Sequence, residues 1–393
     1  MGSWFKNLRK WRSRNSLIAL IAFLLYSMGN SYLVSSLVRL LNRQGMKQEV
    51  PFFYGVTSVM ALPSLFLVGK WIDRWGSRQL TMWFLPIWIL MPVGFAMCDQ
   101  LWQLLCAGVC HNMVALGLGQ GLFKQFLDFV PQDHSKEAVS VSLRCEFILI
   151  AAVTPLGAWV ISSQTLLEWA GVAVICGFAS LFASTMISGV AEQSGGDSQS
   201  SEISEKQKKK LSKLNWKEIF LASSLMTIPL TNGIYGMYLP LYIPGPMLSA
   251  WCITFQSIVS AFSGGLVIKI TKGWSEYQVL RVVHIIQIAS LLIIWRFSDV
   301  VLLVLSSAIL LGVASNAFLL GFLQPRYDEA PSEEKGKQMT RNALPARLAT
   351  LIGPWGSGLV VNRWGYQLVW WVPIPLHLIA LLYEWSEQRK RGR

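Results

Sequence analysis

Charged residues are scarce in this chain of 393 residues. They make up 14% of the sequence, whereas 53% of its residues are hydrophobic and the mean hydropathy is +0.44. Soluble domains carry about 25% charged residues, so this chain has too few charges to cover a globule of its size. The composition therefore argues against an ordinary soluble enzyme and predicts a protein whose surroundings are mostly lipid.

Residues and motifs that hold metals or perform catalysis are equally scarce. The sequence contains no Walker loop, HExxH or GxSxG, so we expect neither catalysis nor transport driven by ATP within this chain. We also expect no cofactor and no metal site. The six cysteines have no metal-ligand spacing, and we interpret them as small buried hydrophobic residues, with a soft-metal pair at 106 and 110 as the lesser alternative. They are Cys98, Cys106, Cys110, Cys145, Cys176 and Cys252.

Long apolar runs are what the sequence has in quantity. Twelve stretches of about 20 residues recur, each long enough to cross a hydrocarbon core about 30 Å thick. The predicted fold class is therefore an all-α membrane protein with twelve transmembrane helices in two pseudo-symmetric six-helix bundles. The predicted spans are 16–38, 51–72, 80–98, 101–124, 139–162, 167–190, 215–240, 247–270, 277–297, 299–323, 339–361 and 366–385.

A polar segment divides these spans into two sets of six. Residues 191–213 contain Gly and Ser, then a run of lysines, and no aromatic residue, which is typical of a flexible linker. The predicted domains are thus an N-terminal bundle at 1–190 and a C-terminal bundle at 214–393.

Basic residues are concentrated in alternate loops. Of the 34 lysines and arginines, 27 fall in the loops and span edges on the side of the N-terminus, 5 fall in the loops and span edges on the opposite side, and the other 2, Arg144 and Arg347, lie farther inside spans. Because Lys and Arg are held on the cytoplasmic face, both termini are predicted to be cytoplasmic, in a bacterial inner membrane. The net charge of +13 is then a signal of orientation, and nucleic-acid binding is not expected.

The two sets of spans repeat each other weakly. Asn30 in span one has a counterpart in Asn232 of span seven, Pro155 in span five has one in Pro354 of span eleven, and a D-x-x-P element follows both span four and span ten. In transporters, a site between two such repeats is exposed alternately to each side by rocking one half against the other.

The loop after span two carries a recognisable motif. It reads G-K-W-I-D-R-W-G-S-R and includes Gly69, Asp73, Arg74, Gly76 and Arg78. This resembles the G-x-x-x-D-R-x-G-x-R signature of the major facilitator superfamily. The resemblance implies a conformational gate, in which these charges hold the outward-open state closed on its cytoplasmic side. The alternative is that the charges mainly secure topology.

A second motif resembles the G-P-x-x-G element of the proton-coupled antiporter branch of that superfamily. Span five contains Pro155 and Gly157 without the first glycine, and span eleven contains Gly353, Pro354 and Gly356. Small residues beside a proline predict a helix bend or close helix packing. The resemblance implies efflux.

Ionisable residues inside spans are functional hypotheses by default. Arg144 and Arg347 are predicted to approach from opposite halves and to clamp an anionic substrate, unless both reach toward the cytoplasm. Glu146 is the first candidate for proton coupling, with a packing role as its alternative. His111 is the second, although a hydrogen-bonded core histidine is as good an interpretation. His284 and His377 lie on spans nine and twelve, which the resemblance treats as outer supports.

Neutral polar residues complete the predicted substrate site, each with an interhelical hydrogen bond as its alternative role. They are Asn30, Tyr32, Gln120, Asn232, Tyr235, Gln256 and Asn316. Span one has no acidic residue, which disfavours cationic drugs as cargo.

The predicted function is that of a monomeric secondary transporter in the lipid bilayer. We expect proton-coupled efflux of a small anionic or zwitterionic metabolite, such as a carboxylate siderophore, or of a drug-like compound. A nutrient uptake symporter and a non-transporting membrane sensor or scaffold are the alternatives.

Overall fold

The computed structural model describes residues 13–130, 135–163, 165–187, 216–243, 246–323, 348, 349, 353 and 356–391. Within these ranges the chain is helical and contains no strand. The helices are α1 (Arg14–Arg43), α2 (Val50–Trp75), α3 (Ser77–Met97), α4 (Leu101–Asp128), α5 (Ser135–Ser163), α6 (Leu166–Thr185), α7 (Trp216–Tyr242), α8 (Pro246–Phe262), α9 (Gly264–Thr271), α10 (Glu276–Phe297), α11 (Val301–Phe318), α12 (356–364) and α13 (Ile374–Arg391). A π-helical turn, Leu319–Leu323, extends α11, and a 3-10 turn, Tyr366–Trp371, precedes α13.

Every predicted span coincides with helix in the described part of the chain. Among the described residues, eight helices are long and apolar enough to cross a membrane, and α8 with α9 forms a ninth span bent by 58°. The all-α membrane fold class is confirmed. The linker at 191–213 lies outside the described residues, so the domain boundaries remain a prediction.

Local sequence signals set several helix ends. Ser13 caps α1 through a reciprocal pair of hydrogen bonds with Ser16, and Thr165 caps α6 in the same way with Glu168. These bonds satisfy backbone N–H groups that have no partner within the helix. Gly76 separates α2 from α3 with φ of +78° and ψ of 153°, a backbone region open essentially to glycine alone.

Small residues allow the helices of the first half to approach closely. α1 packs against α5 and α6, and α3 packs against α4 and α6. At Gly29 of α1, a Cβ atom would lie 2.9 Å from both Cys176 and Trp88, so a larger residue does not fit there. Such contacts drive helix association where the lipid supplies no hydrophobic force.

Contacts across the halves fasten the end of the bundle at which α1 terminates. The buried Arg39 guanidinium donates from NH2 to Ser249 Oγ on α8 at 2.9 Å and from NH1 to Ser35 O at 2.7 Å. The Tyr366 hydroxyl donates to Lys47 O at 3.1 Å, and the Lys47 amine lies 4.6 Å from the centre of the Tyr366 ring.

The placement of Arg39 corrects the sequence prediction, which put it in the first outer loop. α1 continues to Arg43, and its 30 residues exceed the roughly 20 needed to cross the hydrocarbon core. Arg39 therefore lies on a helix, where it faces the other half of the protein.

Candidate functional site

A cavity of about 810 Å³ lies between the two halves. Its volume is typical of a site for a small molecule. Five helices described as continuous elements, α1, α2, α4, α5 and α7, supply most of its wall, and α8 and span eleven supply the remainder. The polar lining consists of Tyr26, Ser27, Asn30, Ser31, Ser35, Tyr54, Ser58, His111, Asn112, Gln120, Glu146, Thr154 and Asn232.

Glu146 places a carboxyl group in this cavity from the middle of α5. Ser27 Oγ on α1 donates a hydrogen bond to Glu146 Oε1 at 2.7 Å. Among the described lining residues, Glu146 is the only carboxylate and there is no lysine or arginine. This side chain is therefore the one acidic group that the described lining offers to a solute.

Asparagines at matching positions join two pairs of helices. His111 Nε2 on α4 lies 3.1 Å from Asn30 Oδ1 on α1. In the second half, Asn232 Nδ2 on α7 donates to Ser315 Oγ on α11 at 3.1 Å, and Gln256 Nε2 donates to Asn232 Oδ1 at 3.3 Å. Asn30 and Asn232 thus join the first helix of each half to its fourth, as the sequence repeat suggested.

Three serines form a stripe along the cavity face of α1. Ser27, Ser31 and Ser35 are spaced four residues apart and all line the cavity. A spacing of four residues keeps them on nearly one face of the helix, about 6 Å apart along its axis.

Several predicted substrate residues lie elsewhere. Tyr32 is fully buried, and its ring approaches Gly157 of α5. Tyr235 is also buried, while Gln256 reaches the cavity only through Asn232. Asn316 donates to Ser260 O at 2.6 Å and to Ser263 Oγ at 2.9 Å, so it secures the bend between α8 and α9.

The predicted arginine clamp gains no support from the geometry. Arg144 is not among the lining residues. Its NH2 group would lie 3.7 Å from a Cβ atom placed on Gly264, at the start of α9. Arg347 and Pro354 lie outside the described residues.

The predicted gate motif spans the end of α2 and the start of α3. Arg74 and Arg78 are exposed there, and the side chains at positions 69 and 73 lie outside what the structure describes. Nearby, Ser77 Oγ donates to Asp128 Oδ2 at 3.4 Å. The turn at Gly76 is the one structural role visible for the motif, and the gate remains a prediction.

The predicted helix-bend residues take part in close packing. A Cβ atom on Gly157 would lie 3.4 Å from Ser36 and Tyr32 of α1, and one on Gly353 would collide with Leu230 of α7. Gly356 has open space around it. Gly157 therefore holds α5 close to α1, and Gly353 holds span eleven close to α7.

Sequence reasoning missed a buried polar cluster in the second half. It consists of Thr231, His284, His377 and Glu384. Its signal in the sequence was the presence of histidine on two predicted spans, which the supposed supporting role of those spans concealed.

Comparison with known proteins identifies the fold. Residues 2–151 match the family model described as Major Facilitator Superfamily. A point mutant of the nucleoside transporter NupG superimposes with a TM-score of 0.74 over 95% of this chain and 99% of that chain, at 13% identity. A bacterial homolog of the human lysosomal transporter Spinster, in an inward-facing and occupied conformation, superimposes with a TM-score of 0.73 over 96% and 97%, at 13% identity.

The chain therefore has the fold of these two solved transporters, and its residues 2–151 match the superfamily model. No curated protein shows significant sequence similarity to it. At 13% identity, the solved structures establish the fold and leave cargo and direction to the chemistry of the cavity. The superfamily fold also accounts for the location of that cavity, because sites between two structural repeats are the ones that rocking motions expose.

Proposed function

We propose that this protein is a proton-coupled secondary transporter that exports a small zwitterionic solute. One observation carries the proposal: a cavity lined by both halves contains a single described carboxylate, Glu146, among neutral hydrogen-bonding groups. A carboxyl group inside a membrane protein is costly and usually serves transport.

The charge of the lining favours a zwitterion over an anion. A cationic group of the solute would pair with Glu146, while the amides of Asn30, Asn112 and Asn232 and the hydroxyls of α1 would hydrogen-bond its other polar atoms. A purely anionic cargo would meet no described lysine or arginine in the cavity. The proposal therefore keeps the zwitterionic part of the sequence prediction.

Glu146 can bind either a proton or the cationic end of the cargo, and exchange of cargo for protons follows from this shared site. The cationic end of a solute binds Glu146 only when its carboxylate is ionised, and a proton on the carboxylate displaces that end. Competition of this kind makes the two ligands alternate, which supports antiport and thus efflux. In a symporter, by contrast, a proton and the cargo bind at the same time.

A planar uncharged solute is the second candidate. Phe23 and Phe123 line the cavity with their ring centres 5.4 Å apart, and the amides around them suit the edges of a heteroaromatic ring. NupG is a nucleoside transporter, so nucleosides belong in the first panel of solutes to be tested.

The test begins with metabolites retained by cells that lack the protein. Each accumulated compound is then offered to proteoliposomes with an acidic interior, where an antiporter takes it up as protons leave. Uptake that needs an alkaline interior instead would show symport. Binding of the compound without flux in either gradient would contradict transport and favour the sensor.

A further inference from the structure

A chain of four buried polar side chains crosses the second half away from the cavity. Thr231 Oγ1 on α7 lies 2.8 Å from His377 Nε2 on α13, and His377 Nδ1 lies 2.7 Å from His284 Nδ1 on α10. His284 Nε2 lies 3.2 Å from Glu384 Oε1, back on α13. All four residues are at most 1% exposed, and none lines the cavity.

The hydrogens of this chain follow from its contacts. Thr231 donates its one hydroxyl hydrogen to Thr227 O at 3.0 Å, so its oxygen accepts from His377 Nε2–H. His377 Nδ1 is then a lone pair in the neutral ring and accepts from His284 Nδ1–H. His284 Nε2 faces Glu384, so one further hydrogen belongs to that pair, on the carboxyl oxygen or on the ring.

The hydrogen bonds among these four side chains can also run in the opposite direction, and the cluster then holds one proton fewer. The Glu384 hydrogen passes to His284 Nε2, the His284 hydrogen passes from Nδ1 to His377 Nδ1, and the His377 Nε2 hydrogen is released to a water molecule at the Thr231 end, which becomes hydronium. The Thr231 hydroxyl then turns from the Thr227 carbonyl to donate to His377 Nε2. Each nitrogen keeps one partner in both states, and the net change is one proton. The Glu384 carboxyl must rotate slightly, because its contact with His284 has an ion-pair distance rather than hydrogen-bond alignment.

The chain has an orientation along the membrane-spanning direction. His377 and Glu384 are seven residues apart on α13, which corresponds to about 10 Å along the helix axis. Thr231 is the neighbour of Asn232, which lines the cavity. Glu384 lies near the end of α13, just before its basic terminal residues. The chain thus extends from the level of the cavity toward the end of the bundle that carries the C-terminus.

Other ionisable groups around the chain set its charge. α11, which packs against α10, has no ionisable side chain. Arg281 lies one turn before His284 on α10, on nearly the same face of that helix. Apart from the cluster itself, the ionisable residues with described side chains on α7, α10, α13 and the 3-10 turn are Tyr235, Tyr238, Tyr242, Glu276, Tyr277, Arg281, Arg296, Tyr366 and Tyr383.

We propose that Thr231, His377, His284 and Glu384 form a proton relay, whose ligand is a single proton exchanged at its Thr231 end. A purely structural cluster would be an expensive choice here, since apolar residues of similar size would pack without any buried charge. The relay's part in coupling rests on the proposed function, whereas its binding of a proton does not.

The experiment uses protons alone as the probe. The full-length protein is reconstituted in proteoliposomes adsorbed to a solid-supported membrane, and a pH jump without solute displaces charge when a proton enters the relay. We expect a transient current in the wild type that falls at least twofold in both His284→Gln and Glu384→Gln. Ser290→Ala is the matched control, because Ser290 is buried on the same helix and bonds only to Ile286 O of its own turn.

A pair of variants at Thr231 distinguishes a relay from a packing role. Thr231→Ser retains the hydroxyl and is expected to retain the current, while Thr231→Val has nearly the same volume and is expected to lower the current at least twofold, as the His284 and Glu384 variants do. Equal currents in these two variants, or an unchanged current in folded His284→Gln, would overturn the relay.

A second measurement, made on the wild-type protein, tests the relay even if the variants fail to fold. In wild-type protein labelled with nitrogen-15 histidine, a relay requires two imidazole nitrogens that share one hydrogen and whose tautomers change together with pH. Two independent, pH-invariant rings would overturn the relay. If the solute assays fail while the current and the coupled tautomers persist, the proposed function is wrong and the relay stands.

Discussion

The two halves of this protein contain the same chemistry in opposite surroundings. In the first half, the Glu146 carboxyl and the His111 ring border the central cavity. In the second half, Glu384 and His284 meet at 3.2 Å with at most 1% of their surface exposed. The difference shows that access, rather than residue type, decides what an ionisable pair inside a membrane does.

Access also decides which ligands can compete at each place. A solute in the cavity reaches Glu146, so the proposed exchange of a proton for cargo takes place there. Only a proton passed from a neighbour reaches Glu384. The buried cluster of the second half lies away from the cavity, so a lost hydrogen-bond partner is harder to replace there. Its hydrogen bonds therefore contribute more to the local stability.

The largest effect is expected from removing the carboxylate that lines the cavity, Glu146. In Glu146→Gln, transport driven by a pH gradient is expected to fall at least about tenfold, because the amide cannot alternate between proton and cargo. Flux of the retained metabolite in proteoliposomes measures this. The control is Glu168→Gln, at an exposed helix cap, which should transport normally; loss of flux in both variants would point to a general defect.

Removing one histidine from each cluster compares how much the two clusters contribute to the free energy of unfolding. His284→Ala is expected to destabilise the protein by about 2–4 kcal/mol, since it leaves His377 and Glu384 buried beside a void. His111→Ala should cost about 1 kcal/mol, because water in the cavity can satisfy Asn30. Thermal unfolding in detergent, followed by tryptophan fluorescence, gives the order of the two. An equal loss would mean that the second cluster is as accessible as the first.

Loosening the contact between α1 and α8 at Arg39 should affect the region of the cavity and leave the buried cluster of the second half unchanged. Arg39→Ala removes a charged donor to Ser249 and is expected to weaken the contact between halves by about 1.5–3 kcal/mol. Hydrogen exchange should then rise in α1 and α8 but not in α10 or α13. Arg43→Ala is the matched control, because Arg43 donates to Ile161 O within its own half at 2.6 Å. Faster exchange throughout the second half would contradict this division.

The smallest effects are expected at two asparagines of the second half, one that stabilises the fold and one that lines the cavity. Asn316→Ala is expected to cost about 1 kcal/mol in stability, since it frees the bend between α8 and α9, and to leave the cargo site unaltered. Asn232→Ala should do the reverse, raising KM with little change in the unfolding temperature. A loss of cargo affinity in Asn316→Ala would place that residue in the site after all.

Sequence alone predicted the helices well because each span is a local property. A run of twenty apolar residues predicts a membrane-spanning helix, whichever elements that helix later packs against. Orientation about the helix axis is a different matter. Asn30 and Tyr32 were predicted to line the cavity together, yet two residues turn a helix by about 200°, and only Asn30 faces it. Hydrophobicity does not reveal that choice where lipid, core and cavity wall are all partly apolar.

The buried cluster was harder still to predict. His284 and His377 are 93 residues apart in sequence, and nothing local indicates that their rings meet. Arg39 was misplaced for a related reason, because the partner of its buried guanidinium, Ser249, is 210 residues away in sequence.

The stripe of serines on α1 has a consequence for the speed of transport. Ser27, Ser31 and Ser35 repeat one hydrogen-bonding group at steps of about 6 Å. A solute that moves along this face can form its next bond before it gives up the last one. On the proposed transport function, the stripe would let the cargo pass without a deep energy minimum at any one serine.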